Sequence, residues 1–118
     1  MRYMTMVKSA EGGYGPPPKA LMDGIAALGV EAAKTGVMVE MGGLQPTARG
    51  ARVTLKGGKV TVTDGPFTEA KEVIGGFAVY NVKTREEAVD WARKFMELHR
   101  VHWKGWEGET EVRELMER

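Results

Sequence analysis

Two segments of this chain, residues 2–8 and 74–82, read as β-strands that are apolar on both faces. In the first, Tyr3, Thr5 and Val7 point one way and Met4 and Met6 the other, because side chains alternate along a strand. In the second, Ile-Gly-Gly-Phe-Ala-Val-Tyr-Asn-Val, neither alternate set is polar. A sheet built on such strands needs cover on both sides, which restricts the arrangements open to the rest of the chain.

The remaining pattern supplies two helices. Residues 11–18 hold three glycines and three prolines and form a loop, whose last proline suits a first helical position. A helix follows over 19–35, with Leu21, Ile25, Leu28 and Ala32 on one stripe and Lys19, Asp23, Glu31 and Lys34 on the polar side. Gly24 and Gly29 weaken it and point to close packing on a sheet, and Gly36 is its stop signal. Residues 37–41 make a short strand ended by Gly42-Gly43.

A hairpin spans 52–63. Val53 and Leu55 alternate with polar residues, Val60 and Val62 do the same, and Gly57-Gly58 supplies a primed turn. Each of its strands has one polar face, so the ribbon is expected to have a wet side. The second helix opens at Thr84-Arg85-Glu86-Glu87, a capping box in which the Thr84 hydroxyl accepts the Glu87 amide and the Glu87 side chain reaches back. Ala88, Ala92, Phe95 and His99 share its stripe, and it frays near Val101. Residues 110–115 add a last strand.

The order β-α-β-β-β-β-α-β gives an α+β class: a ferredoxin-like sandwich with two helices on one face of a mainly antiparallel sheet and an added β-hairpin. Two helices cover one face only. A second copy of the chain is the simplest cover for the other, so a homodimer is expected.

With 118 residues, one domain over 1–118 is expected. Seventeen basic residues against sixteen acidic ones leave a net charge of +1, without the basic excess that gripping nucleic acid requires. The absence of cysteine excludes disulfides, thiolate metal sites and cysteine nucleophiles. No stretch approaches the roughly 20 apolar residues of a membrane span, and no signal peptide is recognisable, so a cytoplasmic protein with no membrane partner is expected.

The most informative run is Asp64-Gly65-Pro66-Phe67-Thr68-Glu69-Ala70-Lys71-Glu72-Val73-Ile74-Gly75-Gly76-Phe77. Asp-Gly-Pro after a strand is turn chemistry, with the aspartate capping backbone amides. The same carboxylate at a strand end beside a cleft can also serve as a base or a ligand acceptor. Lys71 and Glu72 read either as a surface ion pair or, for Lys71, as a group that holds an anion near Asp64; a helical turn over 67–71 would bring Lys71 back to Asp64. The glycines at 11–15 lack the Gly-Lys-Ser/Thr that a phosphate loop needs. His99 and His102, spaced i, i+3, can share a helix face toward a metal, or can favour the negative end of the helix dipole. No cysteine is near and Glu97 is off that face, so neither metal nor cofactor is expected. Trp103 and Trp106 read as a loop anchor or as the wall of an aromatic pocket.

Asp-Gly-Pro-Phe followed by Lys-Glu and then Gly-Gly-Phe resembles the signature of the YCII-related, DGPF-type domain family. Arg2-Tyr3-Met4, Gly43-Leu44 and Glu111-Val112-Arg113 fit the same family. The resemblance implies a dimeric ferredoxin-like (α+β barrel) fold. It implies a site at Asp64, with Gly65, Pro66, Phe67, Lys71 and Glu72 as ligand-binding neighbours. Some relatives pair an aspartate with a histidine from the first helix, whereas residues 19–35 here contain none. Three functions are left open. One is a cofactor-independent enzyme acting on a small polar or aromatic molecule with Asp64 as base. Another is a non-catalytic small-molecule binder or sensor. The third is RNA binding on the sheet, which the near-neutral charge and the expected sheet cover argue against.

Overall fold

The structure, a computed structural model, describes residues 1–117. Its elements follow the expected order: β1 (Arg2–Ser9), α1 (Lys19–Lys34), β2 (Met38–Gly43), a short 3₁₀ turn (Thr47–Arg49), β3 (Ala51–Lys56), β4 (Lys59–Asp64), β5 (Val73–Asn81), α2 (Arg85–His102) and β6 (Glu109–Glu114). The main sheet has the order β2-β5-β1-β6 with every neighbouring pair antiparallel. In each strand–helix–strand unit, β1-α1-β2 and β5-α2-β6, one strand lies between the pair, which is the ferredoxin-like arrangement. The sheet is open and does not close into a barrel.

One alternate set of the central strands packs under the helices. Tyr3 stands opposite Tyr80 and Thr5 opposite Ala78, and all four are buried. Leu21, Leu28 and Ala32 of α1 and Ala88 and Ala92 of α2 complete the core, the alanines marking where the layers approach most closely. Tyr80 stacks on Trp91, with ring centroids 5.8 Å apart.

The other set, Met4 opposite Val79 and Met6 opposite Phe77, faces away from the helices and is only half-buried. Charged residues flank it: Glu40 on β2, and Lys8 paired with Glu109 and Glu111 on the β6 side. The molecule is 19 Å thick along its shortest axis, and no element of the chain covers this face among the described residues.

The hairpin forms a sheet of its own. Gly57 and Gly58 both have positive φ, 58° and 74°, as a primed turn requires. Val53 faces Val62 and Leu55 faces Val60, and these side chains are 64–73% exposed. A wet side was expected, and in the single chain both sides are wet, because the ribbon projects from the body instead of packing on it.

Three local expectations need correction. Gly24 does allow a close approach, but to Leu98 of α2 and not to the sheet, whereas Gly29 does sit against Met41 of β2. The Thr84 hydroxyl accepts the Glu87 amide at 3.2 Å, yet no return bond from the Glu87 side chain forms. His99 is not a charged companion to the end of α2: it is buried, and burial holds its pKa below the ordinary value. No helix among the described residues is long and apolar enough to cross a membrane.

Candidate functional site

The Asp64–Phe67 turn is built against the 3₁₀ turn. The Gly65 amide donates to the Gly50 carbonyl at 2.9 Å, and a Cβ on Gly65 would lie 1.6 Å from the Thr47 carbonyl oxygen, so only glycine fits. The Phe67 amide donates to Thr47 Oγ1 at 3.0 Å. Thr47 in turn donates its amide and hydroxyl to Glu11, and these bonds hold the Glu11 carboxyl below its usual range. The Arg52 guanidinium lies 4.0 Å from the centroid of the Phe67 ring and pairs with Glu69. Glu69 is also held low, first by its own backbone amide and then by Arg52.

Asp64 ends β4 opposite Ala51 and is exposed. By strand alternation it shares the ribbon face of Val60 and Val62. Among the described residues its carboxylate makes no hydrogen bond or ion pair, so it does not cap the turn; backbone and threonine contacts do that work. Lys71 and Glu72 are exposed and form no ion pair with each other or with Asp64 among the described residues. Residues 67–70 close a single tight turn, Ala70 N–H to the Phe67 carbonyl, and not a helical turn that would carry Lys71 back.

A cavity of about 370 Å³ lies elsewhere, between the helices and the sheet. It sits where β1 and β2 end, β5 and β6 begin, α1 starts and α2 finishes. Leu21, Ile25 and Leu28 form its α1 wall. Its opposite wall is aromatic. His99 lies 4.5 Å from the Trp106 ring and 4.6 Å from Phe95, and Trp103 stacks on Trp106 at 5.8 Å. Tyr14, from the glycine- and proline-rich loop, meets Trp103 edge-on at 6.1 Å. Both tryptophans therefore line the pocket, and Trp103 also holds the loop that carries Tyr14.

The polar groups of the cavity are few. His99 Nδ1 lies 2.9 Å from the Phe95 carbonyl. A carbonyl only accepts, so in the neutral ring the proton is on Nδ1 and Nε2 is the acceptor. Burial is the main cause of the lowered His99 pKa, outweighing the Phe95 carbonyl, which acts the other way. Thr110 Oγ1 is a buried hydroxyl oxygen with no hydrogen-bond partner among the described residues. Among the described residues, no Asp, Glu, Lys or Arg lines the cavity.

None of residues 64–72 lines it either. The sequence reading therefore named one cluster, and the fold adds a second that it did not assemble. Thr110 carried no signal in the sequence. The spacing of Phe95, His99, Trp103 and Trp106 was a signal, since the first three fall on one helical stripe. Among the described residues no group of three metal-ligating side chains is arranged to hold a metal.

The family model of the YCII-related domain matches residues 1–98. The chain belongs to the YCII-related family. No curated protein gives a significant match. In this YCII-related chain the matched region holds the whole Asp64–Phe77 signature and ends one residue before His99. The aromatic wall and Thr110 thus come mostly from beyond the matched segment.

Proposed function

We propose that this YCII-related protein is a homodimeric binder of small, largely apolar molecules, taken into the cavity between helices and sheet. The observation that carries this reading is the cavity itself: about 370 Å³, walled mostly by aliphatic and aromatic side chains, with a neutral imidazole among its few polar groups. Small-molecule sites are concave and mostly apolar, with a few convergent polar groups. The dimer is supported by the uncovered sheet face, where Met4, Met6, Phe77 and Val79 form an apolar centre inside a charged margin. An apolar core with a polar rim is how protein interfaces are laid out. Protein-observed NMR with a library of small ring compounds and short acids tests the binding: ring compounds that shift the resonances of α1 and α2 residues support it, and a library that yields no binder refutes it.

A second reading, a cofactor-independent enzyme with Asp64 as base, has one observation in its favour. Asp64 is an unpaired carboxylate on the same ribbon face as an exposed apolar row. A second copy packed on that row would take the carboxylate out of water and set it beside apolar surface. Asp64→Asn separates the readings: cavity binding is expected to be unchanged, while a turnover that used Asp64 would be abolished.

A further inference from the structure

We propose that the cavity selects an uncharged ring carrying a hydrogen-bond donor, the phenol and indole class, which donates to Nε2 of His99. This rests on the reading of the cavity as a ligand site and deepens it by naming the ligand chemistry.

Charge is the first constraint. With no ionic side chain on the lining among the described residues, a carboxylate, phosphate or ammonium ligand would lose its hydration and gain no partner. The imidazole does not supply the missing cation, because burial disfavours its protonated form. The rings packed against His99 are those of Phe95, Trp103 and Trp106, none of which titrates. Tyr80 also lines the cavity, and burial raises its pKa, so it stays neutral as well. The site is therefore uncharged at neutral pH and favours an uncharged guest.

Directionality is the second constraint. The Phe95 carbonyl occupies Nδ1, so the ring presents an acceptor at Nε2. A ligand hydroxyl or N–H meets that need, and a ligand carbonyl does not. Thr110 also lines the cavity, but its Oγ1 is itself shielded, so His99 Nε2 is the acceptor on which the selectivity rests. Shape is the third. Trp103, Trp106 and Phe95 offer aromatic surface to a planar ring, and the volume is toward the lower end of the roughly 300–1,000 Å³ of small-molecule sites.

The test is calorimetric titration of the full chain with phenol, indole, toluene and benzoate, repeated on His99→Phe. Phenol and indole are expected to bind about tenfold more tightly than toluene, the worth of one well-made hydrogen bond at a dry site. Benzoate is expected to bind more weakly than toluene. His99→Phe keeps an aromatic ring and should erase the preference for phenol while leaving toluene within about twofold. The parent protein gives the same information if the variant does not fold: acidification below 6.5, the ordinary histidine value, should weaken phenol binding and leave toluene unchanged. Equal affinity for phenol and toluene in the parent overturns the ligand class but leaves the cavity as an apolar site. Tightest binding by benzoate overturns it too. Failure of every ring compound overturns the cavity reading itself and this inference with it.

Discussion

Replacing Gly65 by alanine is expected to unlock the base of the β3–β4 ribbon without unfolding the body of the protein. The added Cβ would lie 1.6 Å from the Thr47 carbonyl oxygen, 2.6 Å from the Thr47 carbonyl carbon and 3.2 Å from the Gly50 carbonyl oxygen. Ordinary contact needs about 3.5 Å, so the two turns must part by roughly 2 Å. That separation breaks the bond from the Gly65 amide to the Gly50 carbonyl and the bond from the Phe67 amide to Thr47 Oγ1. Each contributes about 1 kcal/mol, and overpacking adds about 1–3 kcal/mol, so the local cost is roughly 3–5 kcal/mol. The main sheet does not share this cost, because the ribbon forms a separate sheet with few contacts to it. Amide hydrogen exchange is the assay. Protection over residues 50–67 should fall by about a hundredfold or more, while β1 and β5 keep theirs. Gly75→Ala is the control, since a Cβ there meets nothing within 4 Å. An exchange pattern in Gly65→Ala identical to the parent would refute the steric reasoning.

Light scattering at micromolar concentration is expected to show a dimer for the parent and a monomer for Met6→Lys, which puts a charge at the centre of the uncovered sheet face; a monomeric parent sinks the assembly argument. His99 has a folded-state pKa below its unfolded value, so the unfolded chain binds the extra proton first and stability falls as pH drops below about 6.5. Urea unfolding at pH 7.5 and pH 5 should show this loss in the parent and a smaller one in His99→Phe. Thr84→Ala removes the hydroxyl that accepts the Glu87 amide and should cost about 1 kcal/mol in the same experiment; no change would mean that the cap is dispensable.

Local chemistry was enough to place the elements. The two-faced apolar strands, the Gly57-Gly58 turn and the Thr84 cap each act within a few residues, so their signals are written consecutively in the chain. The structure shifts the ends by only a residue or two: α1 stops at Lys34, β2 runs Met38–Gly43, α2 reaches His102 and β6 begins at Glu109. The Asp64–Phe67 run also announced a stiff turn, and it is one. What holds it was not legible, because Thr47 and Glu11 come from two other loops.

The cavity belongs to the tertiary structure alone. Val7, Leu21, Met41, Gly76, His99 and Thr110 come from six different elements and meet only because the β-α-β units bring one end of each strand and helix together. Sequence pattern marked His99 as part of an apolar stripe but did not fix its charge. That depends on how much water the folded neighbours exclude and on which carbonyl accepts a hydrogen bond from Nδ1. Alternation along a strand is set by covalent geometry and can be read one residue at a time. Desolvation is a sum over neighbours distant in sequence, so the protonation of His99 and the orphaned Thr110 hydroxyl exist only once the chain has folded.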